Sequence, residues 1–249
     1  THQFTQAEII PSDLDNYLSA MSVAWNADGT QLAVMQLFNS EGTDIIFGAV
    51  EIFDTQTWLV ERTLQYDEIV FPAPSLAWNS TQNLIAFAQY FCTNDDCRYG
   101  NLRAYFYVGD ALTGQTQSWG EDVDNIYDLQ WSPDGTKLAV AGSHLKIYDT
   151  SSAQLLPGWQ PLLNDSRKVA WSADSQRLLN ITAIHQVQIY NVNQATLLNE
   201  FDLLSFSEGI RAAYWLDQDQ KLFVGGSSGN LSVWSTDFEC TLCPTPTPE

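Results

Sequence analysis

Five short apolar runs in this chain end in a tryptophan that is followed at once by a polar turn: Val23-Ala24-Trp25, Leu76-Ala77-Trp78, Leu129-Gln130-Trp131, Val169-Ala170-Trp171 and Ala213-Tyr214-Trp215. A supersecondary signature that recurs every few tens of residues marks a repeat architecture, in which each unit buries its apolar face against its neighbour. The third copy is the clearest. Trp131 leads into Ser132-Pro133-Asp134-Gly135-Thr136 and then Lys137-Leu138-Ala139-Val140, which reads as strand, tight turn and second strand. The first copy keeps Asp28-Gly29 and Leu32-Ala33-Val34, and the fourth keeps Asp174 and Leu178-Leu179 but has Ser175 where glycine is expected. The fifth is looser and the second is one residue shorter. Each copy continues into a third strand that ends in an aromatic and small or polar residues: Ile52-Phe53-Asp54-Thr55, Tyr107-Val108-Gly109-Asp110, Ile147-Tyr148-Asp149-Thr150, Ile189-Tyr190-Asn191-Val192 and Val233-Trp234-Ser235-Thr236. A fourth strand is expected in most copies.

This pattern resembles the WD40-type β-propeller family, and the bacterial propellers whose repeats carry a Trp-Ser-Pro-Asp-Gly turn, over roughly residues 20 to 238. The chain departs from the eukaryotic WD40 pattern in having no Gly-His pair and no repeat whose third strand ends in Trp-Asp; Phe53-Asp54 and Tyr148-Asp149 come nearest. That family's hydrogen-bonded tetrad therefore does not carry over. The resemblance implies an all-β fold, a β-propeller. The tryptophan spacings of 53, 53, 40 and 44 leave no room for a hidden sixth copy, so five four-stranded blades are expected. The domain boundaries that follow are an N-terminal segment 1–19, a propeller 20–239 and a tail 240–249. Phe4-Thr5-Gln6-Ala7-Glu8-Ile9-Ile10 is a candidate closing strand for the last blade, because pairing the first and last strands removes exposed sheet edges.

Lysine and arginine number 10 against 30 aspartates and glutamates, a net charge of −20. Such a field repels nucleic-acid phosphates and anionic membrane surfaces, so neither is an expected partner. No run of 18 apolar residues occurs and Thr1 does not begin a signal peptide, so no membrane insertion is expected. The final Cys243-Pro244-Thr245-Pro246-Thr247-Pro248-Glu249 has the composition of an extended linker or stalk. The cysteines form two close pairs, Cys92 with Cys97 and Cys240 with Cys243, which fits local disulfides formed outside the cytoplasm. A zinc site is the competing reading and would require two blades to bring their pairs together. These features point to an exported module, extracellular or periplasmic and tethered, with no cofactor or bound metal expected. Asn79, Asn164, Asn180 and Asn230 each begin an Asn-x-Ser/Thr sequence, which in a chain this rich in these residues is weak evidence of glycosylation.

From tryptophan to third-strand aromatic the separations are 28, 29, 17, 19 and 19 residues. The first two blades thus carry about ten extra residues each between second and third strands, on one face of the ring. Functional residues gather on loops held by a rigid scaffold, and a loop stapled by Cys92 and Cys97 is ordered in advance of binding. Phe38, Asn39, Asp44, Tyr90, Phe91, Asp95, Asp96, Arg98 and Tyr99 are the candidate binding rim, and loop drift with a stabilising staple is the plainer alternative. Arg167, Lys168 and Arg211 stand three or four positions before their tryptophans, where the innermost strand begins. With Asp128 they are candidates for the channel mouth; pairing with Asp165 and Glu208 is the alternative. No Gly-x-Ser-x-Gly, His-Glu-x-x-His, phosphate-loop or dinucleotide motif is present, and His144 and His185 lack a third ligand. The sequence reading is a non-catalytic module that binds a protein or a glycan. The alternatives are a structural subunit of an extracellular assembly or homo-oligomer, and, less well supported, a hydrolase with carboxylates across its channel.

Overall fold

The computed structural model describes residues 17–39, 46–65, 70–92, 102–122, 125–159, 162–163, 165–203, 210–216, 221–227, 229 and 231–235. They form five antiparallel sheets in chain order. Blade 1 is β1 (Tyr17–Trp25), β2 (Gln31–Asn39), β3 (Ile46–Asp54) and β4 (Val60–Gln65). Blade 2 is β5 (Val70–Trp78), β6 (Leu84–Cys92), β7 (Leu102–Asp110) and β8 (Thr116–Asp122). Blade 3 is β9 (Ile126–Trp131), β10 (Lys137–Gly142), β11 (His144–Asp149) and the short β12 (Gln154–Leu155), with β13 (Leu162–Leu163) also paired to β11. Blade 4 is β14 (Ser166–Trp171), β15 (Arg177–Thr182), β16 (Gln186–Asn191) and β17 (Thr196–Asp202). Blade 5 has three described strands, β18 (Ile210–Leu216), β19 (Lys221–Gly226) and β20 (Leu231–Ser235). The candidate closing strand at residues 4–10 lies outside the described residues.

Turn chemistry explains both recurring motifs. After Trp131, the Ser132 hydroxyl donates to Asp134 Oδ1 at 2.6 Å and accepts the Lys137 N–H at 3.0 Å, while Asp134 Oδ1 accepts the Thr136 N–H at 3.0 Å. Ser172 and Asp174 repeat this arrangement in blade 4. The residue after the third-strand aromatic caps the next turn: Asp54 Oδ1 accepts the N–H groups of Gln56 and Thr57, and Asp149 Oδ1 those of Ser151 and Ser152. The Thr57 N–H and hydroxyl hold the Asp54 carboxyl below its ordinary value. The Asp at this position therefore serves its own hairpin.

The glycine that blade 4 lacks is instructive. Gly135 adopts φ 71°, and a Cβ there would lie 1.8 Å from Thr81 Oγ1 of the preceding blade. Ser175 adopts the same left-handed conformation, φ 59°, and its buried hydroxyl accepts the Asp134 N–H at 3.0 Å. The departure from the repeat is thus a tie between blades 3 and 4.

Among the described residues, four separate cores lie between the five blades rather than one at the centre. In each, the later blade contributes a tryptophan, and between blades 2 and 3 and between blades 3 and 4 it meets alanines of the earlier one. Ala86, Ala88 and Ala104 meet Trp131, Leu138 and Val140, and Ala139 and Ala141 meet Trp171 and Leu178. The Leu-Ala-Val alternation of a second strand therefore feeds two cores at once, because successive side chains point to opposite faces. Trp131 Nε1 donates to the Ala77 carbonyl oxygen at 3.1 Å, and Trp171 Nε1 to that of Gln130 at 3.0 Å, each acceptor being the residue before the previous blade's tryptophan. Trp78, Trp131, Trp171 and Trp215 are 9%, 8%, 7% and 5% exposed, whereas Trp25 is 53% exposed because no described sheet covers the leading face of blade 1. Met21 and Val23 are exposed beside it, and Tyr214, Leu231 and Val233 are exposed on the trailing face of blade 5.

Trp131→Ala should cost about 3–5 kcal/mol by emptying an inter-blade core. Trp25→Ala should cost about 1 kcal/mol or less, since its face is uncovered. Urea unfolding midpoints at unchanged m-value check the difference; equal losses would show that Trp25 is covered in solution.

Candidate functional site

The inner strands share an irregularity that fixes where the candidate residues point. Pairing between first and second strands skips one residue four positions before the tryptophan, at Met21, Tyr127, Arg167 and Arg211, and blade 2 shows a shift between Pro72 and Leu76. A bulge of this kind re-aims the extra side chain. Equivalent positions on neighbouring inner strands then meet. The Arg167 guanidinium lies 3.9 Å from the centre of the Tyr127 ring, and Lys168 Nζ lies 3.6 Å from Asp128 Oδ1. Asp128 Oδ2 also accepts the Val169 N–H at 3.1 Å, which ties blade 3 to blade 4.

Arg167, Lys168 and Arg211 line one cavity of about 600 Å³ together with Tyr127, Thr182, Ala183, His185 and Ile210. Its walls come from the starts of β9, β14 and β18 and from the turn between β15 and β16. Asp128 stands beside it through its ion pair with Lys168. Arg167 is additionally held by exposed Asp165, whose Oδ2 accepts a guanidinium N–H at 3.0 Å, so the pairing foreseen as the alternative is present for that residue. Tyr127, Thr182, His185 and Ile210 were not singled out as a group in the sequence. Aligning the copies on their tryptophans would have placed Tyr127, Arg167 and Arg211 in one column, but only the bulge shows that this column faces a cavity. His144 begins β11 and does not line it.

Burial pushes the Asp128 carboxyl above the ordinary carboxylate value, with Lys168 and the Val169 N–H pulling the other way. Burial likewise pushes the Tyr90 phenol up to about 12, reinforced by Tyr127, while its O–H donates weakly to the Ile126 carbonyl oxygen at 3.4 Å.

The longer first two blades rise on this same face. Their first, second and third strands are nine residues each, against six in blades 3 and 4. The first strands all end on the tryptophan and the second strands all begin at the same distance after it, so the extra residues project as paired ribbon by about 10 Å. Part of the expected loop is therefore strand. Phe38 and Asn39 end β2, opposite Phe47 and Ile46, and Tyr90, Phe91 and Cys92 end β6, opposite Ala104, Arg103 and Leu102. Asp44, Asp95, Asp96, Cys97, Arg98, Tyr99, Cys240 and Cys243 lie outside the described residues, and with them both expected disulfides. Two of the four glycosylation sequences are buried: Asn79 donates to the Gly135 carbonyl oxygen at 3.0 Å and Asn180 to Gln188 Oε1 at 3.2 Å, which closes both to a glycan. On the opposite face a second cavity of about 460 Å³ is lined by Trp131, Trp171, Trp215, Tyr214 and Pro133.

The architecture has a likeness among solved structures. A chain of the crystal structure of the mitotic checkpoint complex, an assembly that contains WD40 propeller proteins, superposes with a TM-score of 0.66 over 90% of this chain at 20% sequence identity. The fold is that of a WD40-type β-propeller. This chain spans 63% of the length of that solved chain. No family model and no curated protein match the sequence.

Because its folded-state value exceeds the unfolded one, Asp128 favours the fold most when protonated; this contribution is complete below the usual carboxylate range and is lost as pH rises through the raised value. Asp128→Asn keeps an acceptor for the Val169 N–H and should remove that decline. Thermal melts of both proteins between about pH 4 and pH 7 should show the variant gaining on the wild type as pH rises. A constant difference would mean that Asp128 titrates normally.

Proposed function

We propose that this chain is a non-catalytic binding module whose working surface is the face carrying the raised hairpins of blades 1 and 2, and that its ligand is a protein. The observation that carries this reading is the nine-residue ribbon of both blades, projecting beside a 600 Å³ cavity on a scaffold whose cores are buried elsewhere. The cavity's described lining includes no carboxylate, and Asp128 is engaged by Lys168 and Val169, so support for a glycoside-cleaving pair at this site is lacking. A neutral glycan is disfavoured for a related reason. Sugar hydroxyls need acceptors as well as donors, and the polar lining is dominated by Arg, Lys and His. In this proposal the repeats are of the bacterial Trp-Ser-Pro-Asp-Gly kind, residues 20–239 form the propeller, and the cysteine pairs and the Pro-Thr tail belong to an exported, tethered protein.

One observation favours a second reading, a subunit of a larger assembly. Met21, Val23 and Trp25 at one end of the blade series, and Tyr214, Leu231 and Val233 at the other, expose apolar surface of the kind that the inner blades cover. Native mass spectrometry separates the two: a monomer supports the binding module, and a defined oligomer supports the assembly.

Peptide and glycan arrays probed with the whole chain test the first reading directly. Peptides should be retained, and changing Cys92 and Cys97 together to serine should weaken their binding about tenfold or more while lowering stability only modestly, since the loop closed is short. Unchanged binding by the double variant would remove the rim from the site, and an array with no bound peptide would remove the reading itself.

A further inference from the structure

The fold places equivalent positions of adjacent inner strands side by side, and at blades 3 and 4 both such meetings are attractive. Arg167 stacks on Tyr127 and Lys168 pairs with Asp128. One blade further on, the same bulge position is occupied by Arg211, so two arginines follow each other around one cavity, with Lys168 and His185 in its wall. Like charges on facing positions of neighbouring strands destabilise a fold unless something between them carries the opposite charge. Arg167 has Asp165. Arg211 is exposed, and among the described residues no hydrogen bond or ion pair engages its side chain; Glu208, the partner offered as the alternative, lies outside the described residues.

We propose that this cavity binds the carboxylates of an acidic peptide segment, with Arg211 as the principal contact and Arg167 and Lys168 completing the cationic wall. The inference rests on reading this face as a protein-binding surface and names the chemistry it would take. Three of the chain's 10 lysines and arginines converge here although the whole molecule carries −20. The long-range repulsion from the remaining carboxylates is screened beyond about 8–10 Å at moderate salt, so the cations inside the cavity govern what enters. Arginine forks match carboxylates in bidentate geometry, and each such bond is charge-assisted. Tyr127, Ala183 and Ile210 supply apolar wall for neighbouring side chains of a peptide.

Fluorescence anisotropy with three labelled probes tests the assignment: a glutamate-rich amidated peptide, its glutamine counterpart and an oligogalacturonate. The glutamate peptide should bind about tenfold or more tighter than the glutamine peptide, and its affinity should fall as salt is raised. Arg211→Ala should weaken it about tenfold and Arg211→Glu should abolish it, neither with a lowered melting temperature, because Arg211 is exposed and its loss relieves like-charge repulsion. Equal binding of the two peptides, or an Arg211→Glu protein that binds like the wild type, overturns the site; so does binding to none of the probes. Tighter binding of the oligogalacturonate overturns the peptide assignment. If peptides other than acidic ones are retained on the array while these outcomes fail, the anion site falls and the binding-module reading stands. If no peptide is retained there, both fall.

Discussion

Trp78, Trp131, Trp171 and Trp215 each sit in the wall of the blade before them, and nearly every other feature of this protein follows from that contact. The Trp131 and Trp171 rings fill space that the preceding blade leaves by using alanines on its trailing face. For Trp131 and Trp171 the indole N–H also meets a backbone carbonyl, at 3.1 and 3.0 Å, so the polar tip is satisfied as the rest of the ring is buried. Blade n+1 is thereby fixed in height and rotation against blade n. Trp215 is buried as deeply, with the Arg177 guanidinium 5.0 Å from its ring, but among the described residues its indole N–H meets no acceptor. Stability is consequently distributed over four interfaces in series rather than held in one core.

Fixing the blades in register has a chemical result. It brings residues 40 or 44 positions apart in sequence into columns across the inner strands, one made of Tyr127, Arg167 and Arg211 and one of Asp128 and Lys168. The bulge common to these strands turns the first column toward the cavity, while the second column becomes an inter-blade ion pair that also holds the Val169 amide. A strongly acidic chain has in this way concentrated positive charge at one place.

The turn networks play the complementary part on the opposite face. Asp134, Asp174, Asp54 and Asp149 each engage Oδ1 in their own hairpins. With the turns closed in this way, the elements that differ between blades are the ends of the second and third strands. These are nine residues long where the repeat spacing is 53, and six where it is 40 or 44.

Much of the architecture was legible in the sequence because its causes are local. A strand's alternation is carried by residues two apart, a turn by Ser, Asp and Gly within five positions, and the repeat by tryptophans that mark each unit. The extra length of blades 1 and 2 could be measured from residue spacing alone, although not that it continues the sheet as ribbon. The charged column was visible as a coincidence of spacing and not as a site. Likewise Asn79 and Asn180 read as glycosylation sequences until burial excluded them, and Ser175 read as a flaw until its hydroxyl was found on Asp134. Strands, turns and blade order were thus determined by the sequence itself. The bulge that aims Arg167 and Arg211 into one cavity, the pairing of Asp128 with Lys168 and the exposure of Trp25 were decided only in the tertiary structure, because each depends on how one blade sits against another some 40 residues away.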